Sequence, residues 1–157
     1  MKLDKKDIEI LKVLSKNGRA QISEISKETN IPRITVYNRM QKLMEDNVII
    51  KIIPLLNYKS FDLNVTAFVL ISFSPTFKVS QRAVAKKISV MKNVEEVHII
   101  AGEWDLIVKV RGSSVEEIGE LVVENLRNIE GVEKTMTIVV FETVLDKPLG
   151  IENMKYD

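Results

Sequence analysis

Apolar residues in the first third of the chain recur at helical spacing. Val36, Met40 and Leu43 fall at i, i+4 and i+7, on one face of a helix predicted from Arg33 to about Asp46. A shorter helix, from Ser23 to Thr29, precedes it, with Ser23 as its expected N-cap. The turn between them is Asn30-Ile31-Pro32, in which Asn30 suits the left-handed end of a helix. With an earlier helix that opens at Asp4, the pattern predicts three helices over residues 4–47.

The polar face of the longer helix carries the first candidate chemistry. Its outward residues donate hydrogen bonds of the kind that phosphates and base edges accept; they are Arg33, Thr35, Asn38, Arg39 and Lys42. Two helices joined by a tight turn are typical of a helix-turn-helix that reads DNA. We expect Arg39 and Lys42 to contact phosphates, and the other three to lie nearer base edges. A merely solvated polar face is the alternative for any single helix.

After Asn47 the pattern becomes β-rich from Val48 to Leu56, which predicts the wing of a winged helix-turn-helix. Regular spacing lapses from Asn57 to Asn64, the expected linker. Beyond it the order is strand, helix, strand, strand, helix, strand, with strands predicted at Val65 to Phe73, Val94 to Ala101, Asp105 to Arg111 and Val132 to Leu145. The expected organisation is a DNA-binding domain at 1–56, a linker at 57–64, and a dimerisation and effector-binding domain at 65–157.

The second half repeats itself at an offset of 38 residues. Residues 93–96 (NVEE) resemble residues 131–134 (GVEK), and residues 68–71 (FVLI) map onto 106–109 (LIVK). Two βαβ-like units predict a ferredoxin-like βαββαβ domain with both helices on one face of the sheet. The fold class is therefore α+β. The other sheet face also carries apolar residues and needs a cover, so we expect a homodimer through the sheet face or edge.

Charge is divided unevenly between the two halves. Residues 1–60 hold 12 Lys and Arg against 7 Asp and Glu, a net of +5, and residues 61–157 hold the remaining 11 against 15, a net of −4. A basic half joined to an acidic half is typical of a nucleic-acid reader fused to another module. The asymmetry is modest, so it supports the DNA-binding prediction without deciding it.

Other composition features narrow the classes further. The sequence has no cysteine, which fits a reducing cytoplasm and removes thiolate chemistry, and His98 is its one histidine. A zinc site would lack its usual ligands, so neither a metal nor a cofactor is expected. No apolar run approaches the roughly 20 residues of a membrane span, so we expect a cytoplasmic protein with no membrane partner.

The chain resembles the leucine-responsive regulator/AsnC (feast–famine) family of transcription regulators over nearly its whole length. The carrying segments are residues 3–11 (LDKKDIEIL), 22–26 (ISEIS), 35–43 (TVYNRMQKL), 48–49, 102–105 (GEWD) and 135–139 (TMTIV). The resemblance implies a winged helix-turn-helix, a ferredoxin-like module that dimerises and often assembles further, commonly into octamers, and an amino acid or related small molecule as effector. The turn at residues 30–34 departs from the usual Gly-Leu-Ser-Pro-Ser of the family.

The resemblance also places an effector site near the hairpin at residues 102–105. Gly102 would expose backbone to a ligand carboxylate, and Glu103 or Asp105 would meet its ammonium, with Trp104 beside them. Thr135 and Thr137, on one face of the last strand, would add hydroxyls from a neighbouring subunit. The alternative for the hairpin is a tight turn with no ligand, and that for the threonines is ordinary strand composition.

Two other functions stay open at this point. One is an enzyme of the ferredoxin-like dimeric-barrel class, with the helical half as an accessory. Against it, the sequence shows no nucleophile paired with a base, and Glu95 and Glu96 are expected on opposite strand faces. The other is an architectural protein that wraps DNA. The favoured function is a sequence-specific transcriptional regulator that binds double-stranded DNA and is not an enzyme.

Overall fold

The computed structural model describes residues 2–74, 76, 78–148 and 150–151. They form two compact units, one of residues 2–56 with the described part of the segment from Leu145 onward, and one of residues 57–144. The three-part division at 56/57 and 64/65 stays a prediction. Among the described residues, no helix is long and apolar enough to cross a membrane.

Three helices make up most of the first unit: α1 (Lys5–Lys16), α2 (Ile22–Thr29) and α3 (Arg33–Glu45). They pack around a small apolar core of Ile10, Val13, Ile25, Ile31 and Val36. Asp4 caps α1 by accepting from the backbone N–H groups of Lys6 and Asp7. The predicted helices are therefore present within one or two residues of their predicted bounds.

The start of α2 differs from the prediction. The helix begins at Ile22 with Gln21 as its N-cap residue, so the predicted capping role of Ser23 is wrong. The carboxylate of Glu24 accepts from the Gln21 backbone N–H at 2.7 Å, which secures the first turn without a serine. The end of α2 is as predicted, because Asn30 adopts the left-handed conformation with φ 56°.

The predicted strand from Val48 to Leu56 is absent from the structure. The backbone N–H groups of Val48 and Ile49 both donate to the Leu43 carbonyl and so close the end of α3. The rest of the segment pairs with no strand among the residues that the structure describes. Its side chains remain in solvent, with Ile50 83% and Leu55 78% exposed.

The second unit begins with a 3₁₀ turn, Tyr58–Phe61, inside the segment predicted as an unstructured linker. It continues as β1 (Val65–Phe73), α4 (Gln81–Ser89), β2 (Val94–Ile99), β3 (Leu106–Gly112), α5 (Val115–Glu120) and β4 (Val132–Val139). A π-helical segment, Leu121–Leu126, continues α5. The strand order β2-β3-β1-β4, with all neighbours antiparallel, confirms the ferredoxin-like prediction.

The internal repeat is visible in the backbone. Asn93 and Gly131, which the offset of 38 aligns, both have positive φ, 71° and 99°. Both helices pack on one sheet face, over a core that includes Val69, Ile71 and Val108. The last strand is shorter than predicted because its partner β1 begins at Val65, and the Val140 N–H already donates to Thr66 near that end.

Candidate DNA-binding and effector sites

Helix α3 presents a continuous exposed stripe of five side chains: Ile34, Tyr37, Asn38, Gln41 and Glu45. Ile34 is 68% and Tyr37 47% exposed, although both are large and partly apolar. The helix turns its opposite side inward, where Val36 and Leu43 are fully buried. The outward face therefore combines hydrogen-bonding side chains with apolar contact area that the described residues leave exposed.

Of the five predicted DNA-contact residues, Arg33, Asn38 and Lys42 are exposed and Thr35 is half-buried. Arg33 and Lys42 make no salt bridge within the described part of the chain. Tyr37 and Gln41 lie in the exposed stripe, and the sequence prediction missed them because it weighted charged and small polar side chains. Helical spacing could have predicted their exposure, because Tyr37 lies three residues after Ile34 and Gln41 three residues after Asn38.

Arg39 is placed differently from the other four. Its Nη1 donates to Asp4 Oδ2 at 2.7 Å and to Asp7 Oδ1 at 2.8 Å. The Asp7 side chain is only 2% exposed, whereas that of Arg39 is 27% exposed. The hydrogen bond from Arg39 holds the pKa of the Asp4 carboxyl below its usual range. This guanidinium thus ties α3 to the capped start of α1.

A shallow depression open to solvent lies where α2 approaches the start of α3. It is lined by two cations and two hydroxyl groups, with one carboxylate, from Ser23, Glu24, Ser26, Lys27 and Arg33. Only Arg33 of this group belongs to the predicted site. Hydroxyls and cations in this combination can bind phosphate oxygens. Helix α2 therefore adds candidate contacts to the DNA backbone, which sequence reasoning on α3 alone missed.

The hairpin between β2 and β3 holds the predicted effector residues. Gly102 has φ 141°, and a Cβ there would meet no atom within 4 Å, so its backbone faces open space. Glu103 is exposed and Trp104 half-buried. The Asp105 carboxylate is already engaged: it accepts from the Phe73 N–H at 2.7 Å and from Gln81 Nε2 at 2.8 Å.

The structure brings Asp105 and Thr135 to the same end of the sheet. The Asp105 N–H donates to the Ile71 carbonyl, and Thr135 is the register partner of Ile71 on the other side of β1. Thr135 Oγ1 accepts from Arg127 Nε at 2.9 Å, whereas Thr137 is exposed further along β4. The hairpin and the two threonines therefore lie on the two sides of one strand, β1.

The prediction that Glu95 and Glu96 diverge is wrong. The strand register shifts between Val94 and Glu96, and both carboxylates reach Lys109 Nζ, at 3.3 and 3.2 Å. Glu95 also accepts from Arg111, whose guanidinium stacks 4.0 Å from the Tyr58 ring centroid. Hydrogen bonds from His98 and then Lys109 hold the pKa of Glu96 below its usual range. The cluster is an ion-pair network on the sheet face away from the helices.

Among the described residues, no group of three or more His, Cys, Asp or Glu side chains is arranged to hold a metal ion. The Glu95–Glu96 pair is neutralised by Lys109 and Arg111, so it does not form a free acid/base pair.

Comparison with known proteins identifies both units. Residues 66–149 match the model described as Lrp/AsnC ligand binding domain, and residues 3–50 match a winged helix-turn-helix DNA-binding model. An uncharacterized HTH-type transcriptional regulator of Pyrococcus abyssi is 46% identical over 92% of this chain and 97% of its own length. The HTH-type transcriptional regulator FL11 of Pyrococcus furiosus is 34% identical over 89% of this chain and 90% of its own.

Solved structures share the fold. Escherichia coli AsnC superposes with a TM-score of 0.86 at 19% identity, covering 96% of this chain and 99% of its own. A Neisseria meningitidis transcriptional regulator in complex with L-Met gives 0.82 at 23% identity, over 92% and 93%. These matches confirm the predicted fold class. Because the family models match residues 3–50 and 66–149 and the similar chains are transcriptional regulators and not dimeric-barrel enzymes, the chain belongs to the Lrp/AsnC family of transcriptional regulators.

Proposed function

We infer that this regulator binds specific double-stranded DNA sequences as a homo-oligomer and that an amino acid or related small molecule modulates the binding. The observation that carries the DNA part is the exposed stripe of α3 beside Arg33 and Lys42, two cations that form no salt bridge with the residues the structure describes. We also infer that the protein is cytoplasmic, because the DNA of prokaryotes, the source of its relatives, lies in the cytoplasm.

In this proposal α3 enters the major groove. Arg33, Thr35 and Asn38 lie nearest base edges, joined by Tyr37 and Gln41 from the exposed stripe, and Lys42 contacts phosphate. Arg39 can add a phosphate contact only by exchanging one of its two aspartate partners for the DNA backbone. Its larger contribution is therefore to hold α3 against α1, with direct contact as the smaller one.

Self-association is supported by uncovered apolar surface. On the sheet face away from the helices, Met136 is 42% and Ile138 45% exposed, beside Phe68 and Leu70 in register on β1. The strandless segment at residues 50–56 adds further exposed apolar side chains. A second copy would cover such surface. A dimer would then set two α3 helices about one DNA turn apart, roughly 34 Å, or a multiple of it.

The effector proposal rests on the hairpin and on one relative. The Neisseria structure is an L-Met complex, and amino acids need a partner for both a carboxylate and an ammonium. Gly102 offers open backbone for the carboxylate and Glu103 an exposed carboxylate for the ammonium. Asp105 fixes the hairpin through Phe73 and Gln81, and Trp104, Thr135 and Thr137 would complete a site between subunits.

Selection of bound duplexes from randomised DNA tests this function, followed by mobility-shift titration with and without L-methionine and other amino acids. The proposal expects a recurring two-half-site sequence and an amino-acid-dependent change in affinity for it. Equal shifts on all duplexes would favour the architectural alternative. Failure to shift any duplex would contradict DNA binding by this chain. If no amino acid changes the affinity, only the effector proposal would be contradicted.

A further inference from the structure

The two helices of the sheet unit carry fully segregated charge. Residues 81–93 contain four cations, Arg82, Lys86, Lys87 and Lys92, and no Asp or Glu. Residues 115–126 contain four anions, Glu116, Glu117, Glu120 and Glu124, and no Lys or Arg. Ordinary surface helices usually mix the two signs, because i and i+4 pairs of opposite charge stabilise the helix.

Six of these eight side chains form two exposed stripes. Arg82, Lys86 and Lys87, here called the basic stripe, are exposed, as are Glu116, Glu120 and Glu124, here called the acidic stripe. None of the six forms a salt bridge with any described residue. Glu117 differs, since it accepts hydrogen bonds from Ser113 and Asn93.

The two stripes lie side by side on the outer surface of the helical layer. Both helices pack on one core, and they run antiparallel. At one end Asn93, just after α4, donates to Glu117 Oε1 at 2.8 Å, near the start of α5. At the other end the position of Gly131, after the π-helical segment, packs against Val79 and Val84. The outer face thus has a positive half and a negative half.

We propose that this face binds the same face of a second copy of the chain. A two-fold axis parallel to the helices places each basic stripe on the partner's acidic stripe, twice over, whereas an axis across the helices would oppose like charges. Because α4 and α5 are antiparallel, this axis sets Arg82 opposite Glu124 and Lys86 opposite Glu120. The charge pattern therefore selects one of the two symmetric ways of docking.

The face also has the non-polar content that an interface needs. Val90 is 81%, Val115 52% and Val123 48% exposed. Gly119 lies on the same surface, where an added Cβ would meet nothing within 4 Å. Exposed ion pairs contribute little one at a time. An array of complementary charges around exposed valines supplies both apolar contact and orientation.

This helix-face contact uses the opposite side of the sheet unit from the proposed sheet-face dimer. The two contacts together would join dimers into larger assemblies. The inference rests on the sheet-face dimer only for the size of the final assembly, and not for the helix-face contact itself.

The test is the molar mass of the full-length protein by size-exclusion chromatography with light scattering, at about 0.05 and 0.5 M salt, where screening differs strongly. Wild-type mass is expected to fall at least twofold at high salt. Low-salt mass is expected to fall likewise in R82E/K86E/K87E and in E116K/E120K/E124K. The chain carrying all six substitutions, and an equimolar mixture of the two triple variants, should recover the wild-type mass.

A matched control is K5E/K12E/K16E. It reverses the charge of three exposed basic residues on α1, the same number as in the basic stripe, and should keep the wild-type mass. Circular dichroism checks folding, and recovery in the six-fold variant excludes a folding defect as the cause of dissociation. Unchanged mass in both triple variants would overturn the inference, as would failure of both recoveries. A basic-stripe variant that loses DNA affinity at unchanged mass would assign that stripe to DNA instead.

The smaller assemblies formed by the triple variants should still bind the selected DNA site. A failure of the helix-face proposal can therefore be distinguished from a failure of the DNA-binding proposal. Dissociation of the triple variants from dimer to monomer would keep the helix-face contact and contradict the sheet-face dimer.

Discussion

The outer face of α3 and the open sheet face differ in whether their cations are paired. On α3, Arg33 and Lys42 form no salt bridge with any described residue, whereas Arg39 is paired with Asp4 and Asp7. On the open sheet face, Lys109 and Arg111 are both neutralised by Glu95 and Glu96, with 12% and 14% of their side chains exposed. A cation without a salt bridge can bind an external anion, such as a phosphate. A cation that already forms a salt bridge instead stabilises the fold.

The largest effect that separates these two kinds of cation is expected at Arg39. Arg39→Ala leaves the buried Asp7 carboxylate without its cationic partner and with only the Asp4 N–H as a donor among the described residues, so the free energy of unfolding should fall by about 2–4 kcal/mol. Denaturant titration of the full chain measures this loss. Lys42→Ala is the control on the same helix and should stay within about 0.5 kcal/mol of wild type. Equal stability of the two variants would show that the Arg39 ion pairs are dispensable.

A smaller loss, in affinity rather than stability, is expected from the exposed stripe. Asn38→Ala removes a hydrogen-bonding side chain at the expected base edges and should weaken binding to the selected site by about 1–3 kcal/mol. Binding to unrelated duplex should stay nearly unchanged. Fluorescence anisotropy at one salt concentration measures both. Parallel loss on both duplexes would assign Asn38 to the DNA backbone instead.

Lys42→Ala should weaken binding to all duplexes by a similar, modest factor. If Lys42 contacts a phosphate, the slope of log affinity against log salt should become shallower by about 0.9. Lys12→Ala, which changes an exposed lysine on α1, is the matched control. A slope that is the same for wild type and Lys42→Ala would rule out that contact.

The smallest effect concerns acid stability in the sheet unit. Hydrogen bonds from the Ser113 N–H, the Ser113 hydroxyl and Asn93 lower the pKa of Glu117 from 4.5 to about 2. Because the pKa of Glu117 is lower in the folded state than in the unfolded state, its ionised carboxylate stabilises the fold at pH values above 4.5. That contribution to stability is lost as the pH falls from 4.5 toward 2. Glu117→Gln should therefore flatten the decline in stability over that range, whereas Glu120→Gln should not. Melting temperatures at stepped pH check this, and identical profiles would refute it.

The sequence carried the features that depend on local spacing. The buried stripe of α3, the left-handed turn at Asn30 and the repeat that aligns Asn93 with Gly131 all follow from neighbours along the chain. Features that need a distant partner were missed. The pairing of Arg39 with Asp4 and Asp7 requires α1 and α3 to meet, which helical periodicity does not show.

The two errors in the β-rich segments have the same origin. Residues 48–56 have strand-like composition, but a strand also needs a partner with free backbone groups, and no strand in the described part of the chain pairs with them. Strict alternation put Glu95 and Glu96 on opposite faces, but a bulge depends on the register with β3. The effector site is the least predictable part, since its proposed residues lie on separate strands and a second subunit would complete it.

Groove mapping from a single tethered probe tests the central claim, that the exposed stripe of α3 enters DNA. The chain has no cysteine, so Tyr37→Cys and, as a control on α1 of the same unit, Lys12→Cys can each carry one DNA-cleaving iron chelate. The account predicts cleavage clustered within each half-site of the selected duplex from position 37 and none clustered there from position 12. Cleavage absent from position 37 while the labelled protein remains bound would contradict it.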